Sequence, residues 1–111
     1  MRESPGHRED LRVVLAEMLD DKPVIAGKMF GFPAFYAAGK LVACVYGTGV
    51  GLRLPPQEAS RLGPAPAREF EPYGRRMRGW TFIEPVDADE LRAEAAVLDA
   101  AIERAQRAAA S

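Results

Sequence analysis

One cysteine and one histidine stand in 111 residues, three lysines accompany twelve arginines, and 15 basic against 16 acidic side chains leave a formal net charge of −1. Cys44 alone cannot form an internal disulfide, and with His7 the only imidazole there is no Cys/His set for a structural zinc. The same shortage excludes a Ser/His/Asp arrangement, because His7 lies in a polar arm with no fixed neighbour to orient it. Neither a metal nor a cofactor is expected. A charge balance this even argues against a dedicated nucleic-acid binder, which needs a basic excess to neutralise phosphates. No apolar run reaches the roughly 20 residues of a membrane span. Residues 1–10 are polar and of mixed charge, unlike a signal peptide, so a cytoplasmic location is expected. The arginine bias with abundant alanine is what a GC-rich bacterial genome writes.

What is present is ordinary globular composition, 48% hydrophobic and 28% charged, at a length that suits one domain over residues 1–111. Residues 1–7, with Pro5 and Gly6, read as a loose arm. Leu11, Val14, Leu15, Met18 and Leu19 recur at helical spacing and predict an amphipathic helix over 8–20, stopped by Asp20, Asp21 and Pro23. The period then changes to two. Strands are expected over 24–30, 33–38 and 41–46, with a turn at Gly39–Lys40. In the third, Leu41, Ala43 and Val45 are expected on one side and Val42, Cys44 and Tyr46 on the other; both are apolar, as in a central strand. Gly47-Thr48-Gly49 supplies a hairpin into a strand whose Val50, Leu52 and Leu54 share a side.

Pro55–Pro56 can open a short helix over 57–62, closed by Gly63 in the left-handed region. A second strand pair is expected over 68–71 and 79–84, with Trp80 and Phe82 alternating against Thr81 and Ile83. Asp87 and Glu90 form a capping box, and Val86 with Leu91 a hydrophobic staple, for a last helix over 88–107. Leu91, Ala95, Leu98, Ile102 and Ala105 are its expected buried stripe. The element order predicts an α+β, two-layer domain: a mainly antiparallel sheet of five or six strands, with N- and C-terminal helices and a short middle helix.

Few residues point to chemistry. Cys44 inside an apolar strand is expected to be a packed, unreactive thiol. The acidic clusters Glu9–Asp10 and Asp87–Asp89–Glu90 fall at helix starts, where capping and the helix dipole account for them, and Asp20–Asp21 in a solvated turn. Gly47-Thr48-Gly49-Val50-Gly51 lacks the Lys-Ser/Thr pair and the following helix of a phosphate loop. One segment remains: Tyr73-Gly74-Arg75-Arg76-Met77-Arg78-Gly79-Trp80. Arg75, Arg76 and Arg78 could engage an anionic partner; the alternative has Arg78 paired in the chain with Glu84 or Glu71, and Met77 and Trp80 in the core.

Lys28-Met29-Phe30-Gly31, Ala34-Phe35-Tyr36, Gly39-Lys40-Leu41, Gly51-Leu52-Arg53-Leu54, Gly74-Arg75-Arg76-Met77-Arg78-Gly79-Trp80 and Glu84–Pro85 stand in an order that resembles the TfoX N-terminal domain family. The resemblance spans residues 11–107 and does not include the helical C-terminal domain of the full-length regulators. It implies a twisted antiparallel sheet packed by helices, similar to secretion chaperones, and a link to transcriptional or competence regulation. It transfers no catalytic residue. The expected function is therefore a non-catalytic interaction or regulatory domain that binds a protein partner or itself as a homodimer. Two alternatives differ in kind: a nucleic-acid-associated regulator using Arg75, Arg76 and Arg78, and a small enzyme or ligand binder with a pocket at Lys28, Arg75 or Tyr36.

Overall fold

The computed structural model describes residues 4–111. Its six strands form one fully antiparallel sheet in the order β1-β2-β3-β4-β6-β5. The strands are β1 (Ile25–Met29), β2 (Phe32–Ala37), β3 (Lys40–Tyr46), β4 (Gly49–Leu52), β5 (Arg68–Phe70) and β6 (Met77–Ile83). The helices are α1 (Glu9–Leu19), α2 (Pro56–Leu62), α3 (Ala88–Arg92) and α4 (Ala95–Ala110). The α+β class and the strand number are as the sequence predicts.

The helices cover one face of the sheet. Leu11, Val14, Leu15 and Leu19 of α1 and Val97, Leu98, Ala101, Ile102 and Ala105 of α4 meet Phe35, Val45, Val50, Leu52 and Ile83 of the strands. Arg8 at the head of α1 donates to the carbonyls of Pro85 (2.6 Å) and Val86 (2.9 Å), fixing that helix to the exit of β6. On this face Thr81 is buried, and its hydroxyl donates to the Leu54 carbonyl at 2.5 Å.

The other face holds a second core of Ala34, Cys44, Phe70, Trp80 and Phe82, flanked by Tyr36, Leu41, Tyr46 and Met77. Arginines and the sheet's own curl cover it. Arg53 lies 5.8 Å from the Trp80 ring and Arg68 5.2 Å from the Phe82 ring. Phe70 lies over Gly51, where a Cβ would come within 2.6 Å of its ring, so β4 must present a glycine.

Several local expectations are corrected. A bulge between β2 and β3 pairs Phe35 with Ala43 but Tyr36 with Leu41. The extra residue, Val42, therefore turns toward the helices with Ala43 and Val45, leaving Leu41, Cys44 and Tyr46 on the aromatic face. The second hairpin turn is Ala38–Gly39, both at positive φ, and Lys40 already belongs to β3. Gly63 is extended (φ −138°) instead of left-handed; glycine is required because a Cβ would meet the Glu94 carboxylate at 2.0 Å.

The last helix is two. Glu94 interrupts it, turning inward to accept the Ala65 N–H at 3.0 Å, and the phase shift leaves Ala95 exposed while Val97 and Ala101 join the stripe. Asp87 caps α3 by accepting from the Glu90 N–H at 3.0 Å, but Glu90 returns its bond to the Val86 N–H. Val86 is exposed, so no staple forms with buried Leu91. Of the arm expected to be loose, residues 1–3 lie outside the described residues. The Gly6 carbonyl accepts from the Gly47 N–H at 2.7 Å, and His7 bridges to Gly47 in parallel.

Candidate interaction site

The site is built from two turns at opposite margins of the sheet. Phe30–Gly31 joins β1 to β2 with φ of 51° and 83°, the positive pair of a type I′ hairpin turn. Tyr73–Gly74, between β5 and β6, repeats that pair at 53° and 77°. Asn or Asp is the usual first residue of such a turn, since a bulky side chain at positive φ is strained by about 1 kcal/mol or more. Here an aromatic holds the position both times. Phe30 is in addition 77% exposed, so burial does not compensate its strain.

A flat sheet would hold these turns far apart, since β2 and β5 lie four strand spacings, about 19 Å, from each other. The curl brings them together. The rings of Phe32 and Tyr73 are 6.1 Å apart, Tyr46 stands 4.8 Å from Phe32 and 5.8 Å from Tyr73, and the Tyr46 hydroxyl accepts the Tyr73 N–H at 2.8 Å. Bulges at Phe35/Tyr36 and Glu69/Phe70 provide the bends.

Between the turns lies a groove of about 600 Å³, lined by Phe30, Pro72, Tyr73, Arg75, Arg76 and Met77. Its floor is apolar and its rim cationic. All three predicted arginines are exposed. The in-chain ion pair falls on Arg76, whose Nε meets Glu69 Oε2 at 2.9 Å, instead of on Arg78. Of the acidic residues named for Arg78, Glu84 pairs with Arg68 at 3.0 Å and accepts from Thr48 at 2.5 Å, and Glu71 is exposed. Arg75 and Arg78 make no ion pair among the described residues. Trp80 is buried as expected, whereas Met77 is half-buried and faces the groove.

The other candidates do not converge on this groove. Lys28 borders a separate depression of about 200 Å³ with Arg12 and Phe35, and the Tyr36 hydroxyl donates to the Lys28 carbonyl at 2.6 Å. His7 has a partner the sequence did not suggest, Glu9 at 3.0 Å. Arg12 and then His7 hold the Glu9 carboxyl down to about 2. Cys44 is fully buried, and desolvation pushes its thiol up to about 12, which removes the thiolate a nucleophile needs. The Gly47–Gly51 run is a hairpin and strand, and at Gly49 a Cβ would stand 2.1 Å from the Ile83 carbonyl oxygen. Among the described residues no group of three His, Cys, Asp or Glu could hold a metal ion, and no helix is long and apolar enough to cross a membrane.

Sequence reasoning missed Phe30. It read this residue as the end of a strand, although Phe30-Gly31 has the glycine of a two-residue turn. Comparison with protein-family models, curated proteins and solved structures gives no match to this chain.

Proposed function

We propose that this chain is a non-catalytic interaction domain of the TfoX N-terminal type, whose groove between Phe30 and Arg75 receives an acidic segment of a protein partner. The observation that carries this reading is the strained, exposed Phe30 beside an apolar floor and Arg75, which makes no ion pair among the described residues. Exposed aromatics and arginines are the residues that dominate protein interfaces, and this groove supplies both within one concave surface. A regulatory role, in transcription or competence, belongs to the same proposal and rests on the resemblance of sequence pattern and the coarse α+β fold.

An acidic peptide fits better than a nucleic acid. Glu69 already neutralises Arg76, and Glu71 is exposed at the head of the arginine segment. The cationic rim is thereby reduced to Arg75, with Arg78 exposed outside the lining, enough for a carboxylate or two but short for a run of phosphates. The test is a titration of the isotope-labelled chain with short synthetic peptides carrying glutamates beside one leucine or phenylalanine. Saturable amide shifts at Phe30, Gly31, Arg75 and Met77 are expected. Arg75→Glu with Arg76→Glu should weaken binding about tenfold or more while leaving the melting temperature nearly unchanged, since exposed pairs such as Arg76–Glu69 contribute under about 1 kcal/mol. Peptide binding that survives the double change, or shifts only with an oligonucleotide of equal charge and a steep salt dependence, overturns the reading.

A further inference from the structure

The two edges of the sheet are not alike. β5 is three residues long, carries Arg68 and Glu69, and has a bulge between Glu69 and Phe70. Pro66 precedes it and Pro72 follows. Short length, charge, bulging and proline are the devices that keep an edge from pairing. β1 shares with it only a preceding proline, Pro23, and a single charge; it is longer and has no bulge. It is five residues long, pairs with β2 without a register shift from Ile25↔Tyr36 to Met29↔Phe32, and contains no proline. Lys28 is its single charge, and Ile25 is 75% exposed.

We propose that β1 is a self-association edge, which a second copy of this chain joins antiparallel about a two-fold axis at Gly27. Side-chain complementarity selects both the occupant and the register. With the axis at Gly27, all five residues pair: Ile25 faces the partner's Met29, and Ala26 faces the partner's Lys28. Ile25 and Met29 lie opposite Tyr36 and Phe32 on the aromatic face, where apolar meets apolar, and Ala26 and Lys28 opposite Phe35 and Pro33 on the helix face, where each lysine meets an alanine and not a second lysine. Moving the axis to Lys28 would oppose two lysines and lose a pair. Gly27 leaves the seam open for the Tyr36 ring, which would come within 3.1 Å of a Cβ there. A net charge of −1 gives two copies little mutual repulsion. The product is a continuous sheet of twice six strands, with its β1 edges closed. This inference does not depend on the groove.

Sedimentation of the full chain should show a monomer–dimer equilibrium below about 500 µM, and Ile25→Lys should weaken it about tenfold without lowering the melting temperature. Cross-linking then reads the register. Residues facing each other across antiparallel strands have Cα atoms about 4.5–5.5 Å apart, within reach of a disulfide, whereas residues two positions out of register exceed about 7 Å. Under a mild oxidant, the Ala26→Cys/Lys28→Cys double variant should form covalent dimers and each single variant should form few. A wild-type chain that stays monomeric, a dimer indifferent to Ile25→Lys, or single variants that cross-link as well as the double overturns the proposal.

Discussion

The ring of Phe32 on β2 stands 6.1 Å from the ring of Tyr73 in the β5–β6 connection. This contact, buttressed by Tyr46 against both rings, closes one end of the sheet and sets the distance between the groove walls. Phe32 is buried, so Phe32→Ala should destabilise the fold by about 3 kcal/mol. Amide exchange at Tyr73 and Gly74 should then quicken beyond what the global loss explains, because the Tyr73 N–H bond to Tyr46 depends on the cluster. Uniform exchange changes would show that the cluster is core alone.

Cys44 provides a second check on the aromatic face. Fully buried and with its pKa pushed up to about 12, it should resist a water-soluble alkylating reagent in the native chain and react fully once the chain is unfolded. Cys44→Ala should cost about 1 kcal/mol through a small cavity and leave peptide binding intact. Rapid native labelling would contradict the burial.

Glu94 makes stability depend on pH in an unusual direction. It is 1% exposed, and burial raises its carboxyl pKa above the free value of 4.5. The folded chain therefore holds that proton more tightly than the unfolded chain. Its stabilising contribution is complete below pH 4.5 and is lost as pH rises through the folded value. Glu94→Gln keeps an oxygen for the Ala65 N–H and removes the titration. The variant should match wild type near pH 4 and melt higher than it at about pH 8. A difference in melting temperature that is constant across this range would contradict the assignment.

The elements that obey one period were legible in the sequence, and the exceptions share a cause. The stripe of α1, the alternation of Trp80 and Phe82 against Thr81 and Ile83, and the Asp87 cap follow from local spacing and are found as expected. Val42, Gly63 and the unbroken last helix were misread because each answers to a tertiary neighbour: a bulge opposite Phe35, a carboxylate needing room, and an N–H in the α2–β5 loop that draws Glu94 inward. The arginine segment was visible as composition. Its partner across the groove was not, because Phe30 and Arg75 are 45 positions apart and meet only when the sheet curls.

A partner bound in the groove is the reason an aromatic, Phe30, is kept in a strained, exposed turn. Phe30→Asn puts a favoured residue at a type I′ position whose side chain packs little, so stability should rise by about 1 kcal/mol. The deciding measurement is calorimetric titration of this variant and of wild type with an acidic peptide that shifts the groove amides. A more stable chain that binds the peptide at least about tenfold more weakly is expected. A variant that binds as wild type does would contradict this role of Phe30.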